Sequence, residues 1–138
     1  MNECHRSKTS RKTIFALALG LLGTLAFAAS SDWRAPPSAA NRPNPVPANA
    51  NTIALGQKLY VANCFTCHGP TGSGDGPGAA ALEKKPANLS ERIKSTGEKD
   101  GELFWKISEG RAPMITWKAT LSETQRWELV NYIRTFAK

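Results

Sequence analysis

From Thr52 onward the apolar positions Ile53, Leu55, Leu59, Tyr60 and Cys64 recur at three- and four-residue steps, the period of one helical face. Thr52 is the expected N-cap of that helix. The last segment has a clearer pattern. Ser122 with Gln125 three residues on has the form of a capping box, and Thr120 with Glu123 offers an alternative register. Beyond it Trp127, Leu129, Val130, Tyr132, Ile133 and Phe136 form an apolar stripe. Glu123 and Glu128 lie toward its start and Arg134 and Lys138 toward its end, as the helix dipole favours.

Between these two helices the pattern is broken. Residues 69–78 carry five glycines and two prolines and read as loop. Short helical pieces are expected over 79–84 and 89–93, separated by Pro86. A third helix over 101–109 turns Leu103, Phe104 and Ile107 inward and stops at Gly110. "RAPMITWKAT" has no period and reads as loop. No strand-like alternation of useful length occurs, so the expected fold class is all-α. A compact part of roughly 85 residues is small for a core of side chains alone, and a bound group in the interior is expected.

The N-terminal half of the pattern is of another kind. Arg6, Lys8, Arg11 and Lys12 precede the apolar run "IFALALGLLGTLAFAA", within which Ala26-Phe27-Ala28 has the small-x-small form of a cleavage site. Residues 1–28 are therefore expected to be a secretory signal peptide, and the protein periplasmic. The run is short of the ~20 apolar residues a membrane span prefers. An uncleaved signal anchor, tethering the domain to the membrane, is the alternative. Residues 29–51 hold five prolines and little that is apolar, and are expected as a flexible, extended lead-in in which Trp33 alone is able to dock. Residues 52–138 form the expected folded domain.

Removing the leader changes the charge. The chain has 18 bases and 11 acids, +7 in all; residues 1–28 hold four of the bases and one acid, which leaves 14 against 10, or +4. The remaining bases are scattered, a pattern that argues for a solvated surface and against nucleic acid as a partner.

It also changes the cysteines. Cys4 leaves with the leader, and Cys64 and Cys67 remain, three apart. A disulfide across so short a loop adds little stability by chain entropy. A zinc site requires more ligands than Cys64, Cys67 and His68 supply, and a thioredoxin-like dithiol requires a strand context that is missing. Cys64-Phe-Thr-Cys67-His68 instead has the spacing that attaches c-type haem. Two cysteines on one turn reach two vinyl groups of one haem, and the next histidine donates a ring nitrogen to the iron. The sixth ligand expected is Met114, the one methionine besides Met1, in the loop before the last helix. The metal ligands are thus expected to be His68 and Met114, and the cofactor one haem c held covalently through Cys64 and Cys67.

With these residues in place the chain resembles a class I monohaem cytochrome c of the bacterial periplasm. The resemblance is carried by "GQKLY", "CFTCHG", "GDGPGAAAL", "KKPANL", "APMITW" and "LSETQRWELVNYI", which together run from Gly56 to the C-terminal helix. It implies a small fold in which the first and last helices cross with their backbones close at Gly56, with Tyr60 packed on Leu129 and Tyr132. It further implies that the carbonyl of Pro77 accepts the proton of the His68 nitrogen that does not bind iron, and that Trp117 lies near the haem edge. One departure is visible: Pro113 precedes Met114, where the family often has proline after the methionine.

The function so implied is electron transfer, not enzymatic turnover at the iron, with a redox-protein donor and acceptor docked transiently. The chain is expected to act as a carrier or as the haem subunit of a redox enzyme, and a membrane oxidase or reductase is one possible partner. The alternative is a haem enzyme or a gas or redox sensor in which Met114 detaches and opens the sixth position.

Overall fold

The computed structural model describes Met1 and residues 33–137; of the expected leader, 1–28, all but Met1 lies outside the described residues. Among these residues there are six α-helices and no strand: α1 Pro37–Ala40, α2 Ala50–Asn63, α3 Phe65–His68, α4 Leu89–Thr96, α5 Asp100–Glu109 and α6 Glu123–Ile133. Short 3-10 turns lie at Ala79–Ala81 and Arg134–Ala137. The all-α expectation holds. Among the described residues no helix is long and apolar enough to cross a membrane.

Helix α2 begins earlier than expected. Asn49, not Thr52, is its N-cap: the Asn49 side chain accepts from the Asn51 and Thr52 amides, and the Thr52 hydroxyl accepts from the Asn49 amide. Thr52 is the reciprocal partner of the box, three residues in. The box at α6 is the one expected, Ser122 with Gln125. The helix expected over 79–84 shortens to the single turn Ala79–Ala81, whereas α4 extends to Thr96, where left-handed Gly97 ends it.

Helices α2 and α6 pack directly on one another. A Cβ built at Gly56 overlaps the Glu128 carbonyl oxygen and stands 2.7 Å from its carbon and 2.9 Å from Tyr132 Cβ. Only a glycine lets the two backbones come this close. Tyr60 is buried at the same contact, with ring centroids 5.3 Å from Tyr132 and 5.2 Å from Phe136, and it shares the core cluster with Leu129. Helix α5 closes the core by stacking Phe104 on Trp127 at 3.9 Å. Trp127, Leu129 and Val130 are wholly buried.

The proline-rich segment departs from its expected character. It packs as a strap over α5 and α6, in one compact unit with the helices. The carbonyls of Ala39, Ala40 and Arg42 crowd Gly101 of α5 so closely that a Cβ there would lie 2.7 Å from the last two. The Arg42 guanidinium lies 5.1 Å from the Phe104 ring and 5.5 Å from Trp127, and pairs with Glu123. Asn44 Nδ2 donates to Asn131 Oδ1 at 2.8 Å, and Asn131 Nδ2 donates to the Val46 carbonyl at 3.1 Å. Low apolar content suggested a segment with nothing to bury. Besides Val46, which packs on the core, and Trp33, which meets Trp105, its contacts are cation–π, amide and backbone contacts, which leave no hydrophobic period. A cavity of about 560 Å³ opens between the strap and the α4–α5 turn beside Arg42, Lys99, Asp100 and Arg134, away from every expected site residue.

Candidate functional site

The site begins where α2 ends. Cys64 is at once the C-cap of α2 and the residue before α3, its amide donating to the Tyr60 carbonyl. Helix α3 then carries Cys67 and His68 on its single turn. Both cysteines are free and half-buried. Burial, with Cys67 second, pushes the Cys64 thiol up to about 12, so it is protonated at neutral pH.

A turn this short leaves its carbonyls without helical partners. The glycine-rich loop supplies them. Gly74 N–H donates to the His68 carbonyl at 2.9 Å, Gly76 to Cys67 at 3.2 Å and Gly78 to Thr66 at 2.8 Å. The buried Tyr60 hydroxyl donates to the Gly69 carbonyl at 2.8 Å. Gly76 runs so close to α3 that a Cβ would stand 2.5 Å from the Phe65 carbonyl oxygen and 2.7 Å from the Thr66 carbonyl carbon. The glycines thus fold the chain back onto the motif and lock its turn.

His68 Nδ1 lies 3.4 Å from the carbonyl of Ala87. The partner that the resemblance implied was Pro77, which stands exposed in the glycine loop; the carbonyl that faces Nδ1 here is that of Ala87. The reason is local: Asn88 caps α4, so the carbonyl of the residue before it lies outside the helical ladder and is free to face the ring. Burial lowers the His68 pKa, and the Ala87 contact opposes that shift. Burial, the larger of the two, favours the neutral ring, and a carbonyl facing Nδ1 favours the tautomer with the proton there, which leaves the Nε2 lone pair free to bind a metal.

Met114 lies in the loop between α5 and α6, half-buried against the core cluster that also carries Cys64, Phe65 and Trp117. Its amide donates to the Arg111 carbonyl at 2.9 Å, and these two residues form an isolated bridge. The downstream end of the loop is fastened to α5. Thr116 Oγ1 donates to the Ser108 carbonyl at 2.6 Å, Trp117 N–H to Ile107 at 3.2 Å and Lys118 N–H to Ser108 at 3.3 Å. The Ala112–Pro113 peptide is cis.

Two unpaired thiols on one turn, a neutral imidazole with one nitrogen held by a carbonyl, and a thioether on the same core are a donor set that fits a covalently held haem. Among the described residues no group of three or more His, Cys, Asp or Glu side chains forms another metal site. Sequence reasoning missed Ala87 and the Tyr60–Gly69 bond. The Asn88 capping signal pointed to the first, and nothing local pointed to the second.

The comparisons with known proteins agree with this chemistry. A family model described as cytochrome c matches residues 53–137. The cbb3-type cytochrome c oxidase subunit FixP of Bradyrhizobium diazoefficiens is 30% identical over 83 residues, 59% of this chain and 27% of that protein. A chain of the reducing HAO-like protein complex of Kuenenia stuttgartiensis superposes with a TM-score of 0.62 at 28% identity, over 68% of this chain and 47% of its own. A second solved structure, the KustC0563 c-type cytochrome, matches 60% of this chain and 98% of its own, with a TM-score of 0.50 and 28% identity. This chain therefore spans about a quarter of FixP and about half of the Kuenenia chain.

Proposed function

Because the chain belongs to the cytochrome c family, in which haem-based electron transfer is implied, we propose that it is an exported electron-transfer protein with one haem c. In this reading Cys64 and Cys67 hold the haem covalently, and His68 and Met114 ligate its iron. When bound, the haem supplies a one-electron couple. The protein holds that couple in place. Ala87 fixes the His68 ring through Nδ1, the glycine loop locks the turn that carries it, and the α5-anchored loop presents the Met114 sulfur. The observation that carries the reading is the pairing of two free thiols with an Nδ1-held imidazole on one turn.

With His68 and Met114 both given to the iron, a bound haem would offer no open position to a substrate and would supply electron transfer alone. Ile115, directly after Met114, is 59% exposed, and Val61, one turn before Cys64, is 58% exposed. They supply apolar contact for a transient redox partner. The naming of FixP as an oxidase subunit, and of the Kuenenia protein as part of a reducing complex, supports service to a larger redox enzyme. The signal-peptide pattern of residues 1–28 supports export to the periplasm, where covalent attachment would prevent loss of the cofactor.

The test is retention of the cofactor. After production in a periplasm with cytochrome c maturation, the intact mass should equal the processed chain plus one haem. Colour should survive acidified organic extraction. Replacing both Cys64 and Cys67 with alanine should release all haem on extraction. A wild-type chain that loses its colour would refute covalent attachment.

A further inference from the structure

Trp33, at the start of the described strap, sits half-buried in a cradle formed by two different elements. From α5 come Trp105, its ring centroid 6.1 Å away, and the Lys106 ammonium, 5.8 Å over the indole. From the methionine loop comes the Arg111 guanidinium, 5.0 Å from the ring centre. Arg111 is also the residue whose backbone pairs with Met114. The strap behind Trp33 is itself held, because the carbonyls of residues 39, 40 and 42 seat on Gly101 and Arg42 pairs with Glu123.

We propose that the strap is a clasp on the axial-ligand loop, with Trp33 and Arg111 as a positioning pair for Met114. The downstream end of the loop is tied to α5 through Thr116, Trp117 and Lys118. The upstream end meets the strap through Arg111. A shift of Arg111 is carried to Met114 by the bridge between their backbones. The strap thereby decides how readily the Met114 sulfur gives way to an outside ligand, and the proline-rich arm becomes part of the redox site.

The proposal rests on Met114 as ligand, and its test separates the two claims. Imidazole is titrated into the ferric holoprotein while the charge-transfer band at the red end of the spectrum is followed. Trp33→Ala is expected to bind imidazole roughly five-fold more tightly than wild type, the loss of one or two cation–π contacts. Trp33→Phe should keep the wild-type affinity within about two-fold, since a phenyl face still accepts the cations. Arg111→Leu should match Trp33→Ala, and the double variant should add nothing further. Asn49→Ala, which loses only the α2 cap, should melt earlier with unchanged imidazole affinity. An unchanged affinity in Trp33→Ala, or an equal rise in Asn49→Ala, overturns the clasp alone. A wild-type protein without the far-red band overturns Met114 ligation and the clasp with it.

Discussion

Met114→Ala is expected to abolish the far-red charge-transfer band of the ferric protein and to let carbon monoxide bind the ferrous form. Outside the expected leader, which holds Met1 and His5, the chain has no second methionine, and its one histidine is His68, the ligand proposed for the other face. No side chain of these types is left to take the vacated position. Thioether ligation favours the reduced state, so the reduction potential should also fall, by on the order of 0.1 V within the roughly 0.8 V span that axial ligands set. The haem should remain attached, because Cys64 and Cys67 are untouched. Retention of the far-red band in Met114→Ala would show that another group ligates the iron, and would remove the reason for the loop's fastening to α5.

The second large effect is one of sign. In the interior of an ordinary helix, Gly→Ala gains about 1 kcal/mol of helix propensity. At Gly56 the same change is expected to destabilise, because the new Cβ overlaps the Glu128 backbone and crowds Tyr132 Cβ at 2.9 Å. A carbonyl in a helix has no alternative rotamer, so the helices must separate. Overpacking of this kind costs about 3 kcal/mol. For a domain of this size that lowers the melting midpoint by roughly 10–20 °C. Gly56→Val should be worse still. A midpoint for Gly56→Ala at or above wild type would mean that α2 and α6 do not approach as described.

What the sequence made legible was chemistry and capping held in a few neighbouring residues. Cys64, Cys67 and His68 declare themselves because one helical turn suffices to bring them together. Ser122 and Gln125 mark the start of α6 in the same local way. Errors came where the signal was carried by backbone or by contacts distant in sequence. Thr52 was the expected N-cap because it opens the apolar period, yet the box is made by Asn49, in front of that period. Pro77 and Ala87 both offer a carbonyl, and a carbonyl has no side-chain signature; only the tertiary path of the chain before α4 selects Ala87. The strap was hidden for a related reason. Arg42 over Phe104 and Trp127, and chain carbonyls against Gly101, join residues about 60 to 85 apart. Hydrophobic periodicity has no means of recording them.

The central claim is that this chain closes both faces of one covalent haem with His68 and Met114 and uses it to pass single electrons. A spectroscopic redox titration of the wild-type protein tests it most directly. The account predicts one reversible one-electron transition, a far-red charge-transfer band in the ferric form, and no spectral change when carbon monoxide is added to the ferrous form. A ferric spectrum without that band, together with ready carbon monoxide binding, would contradict it and identify an open haem instead.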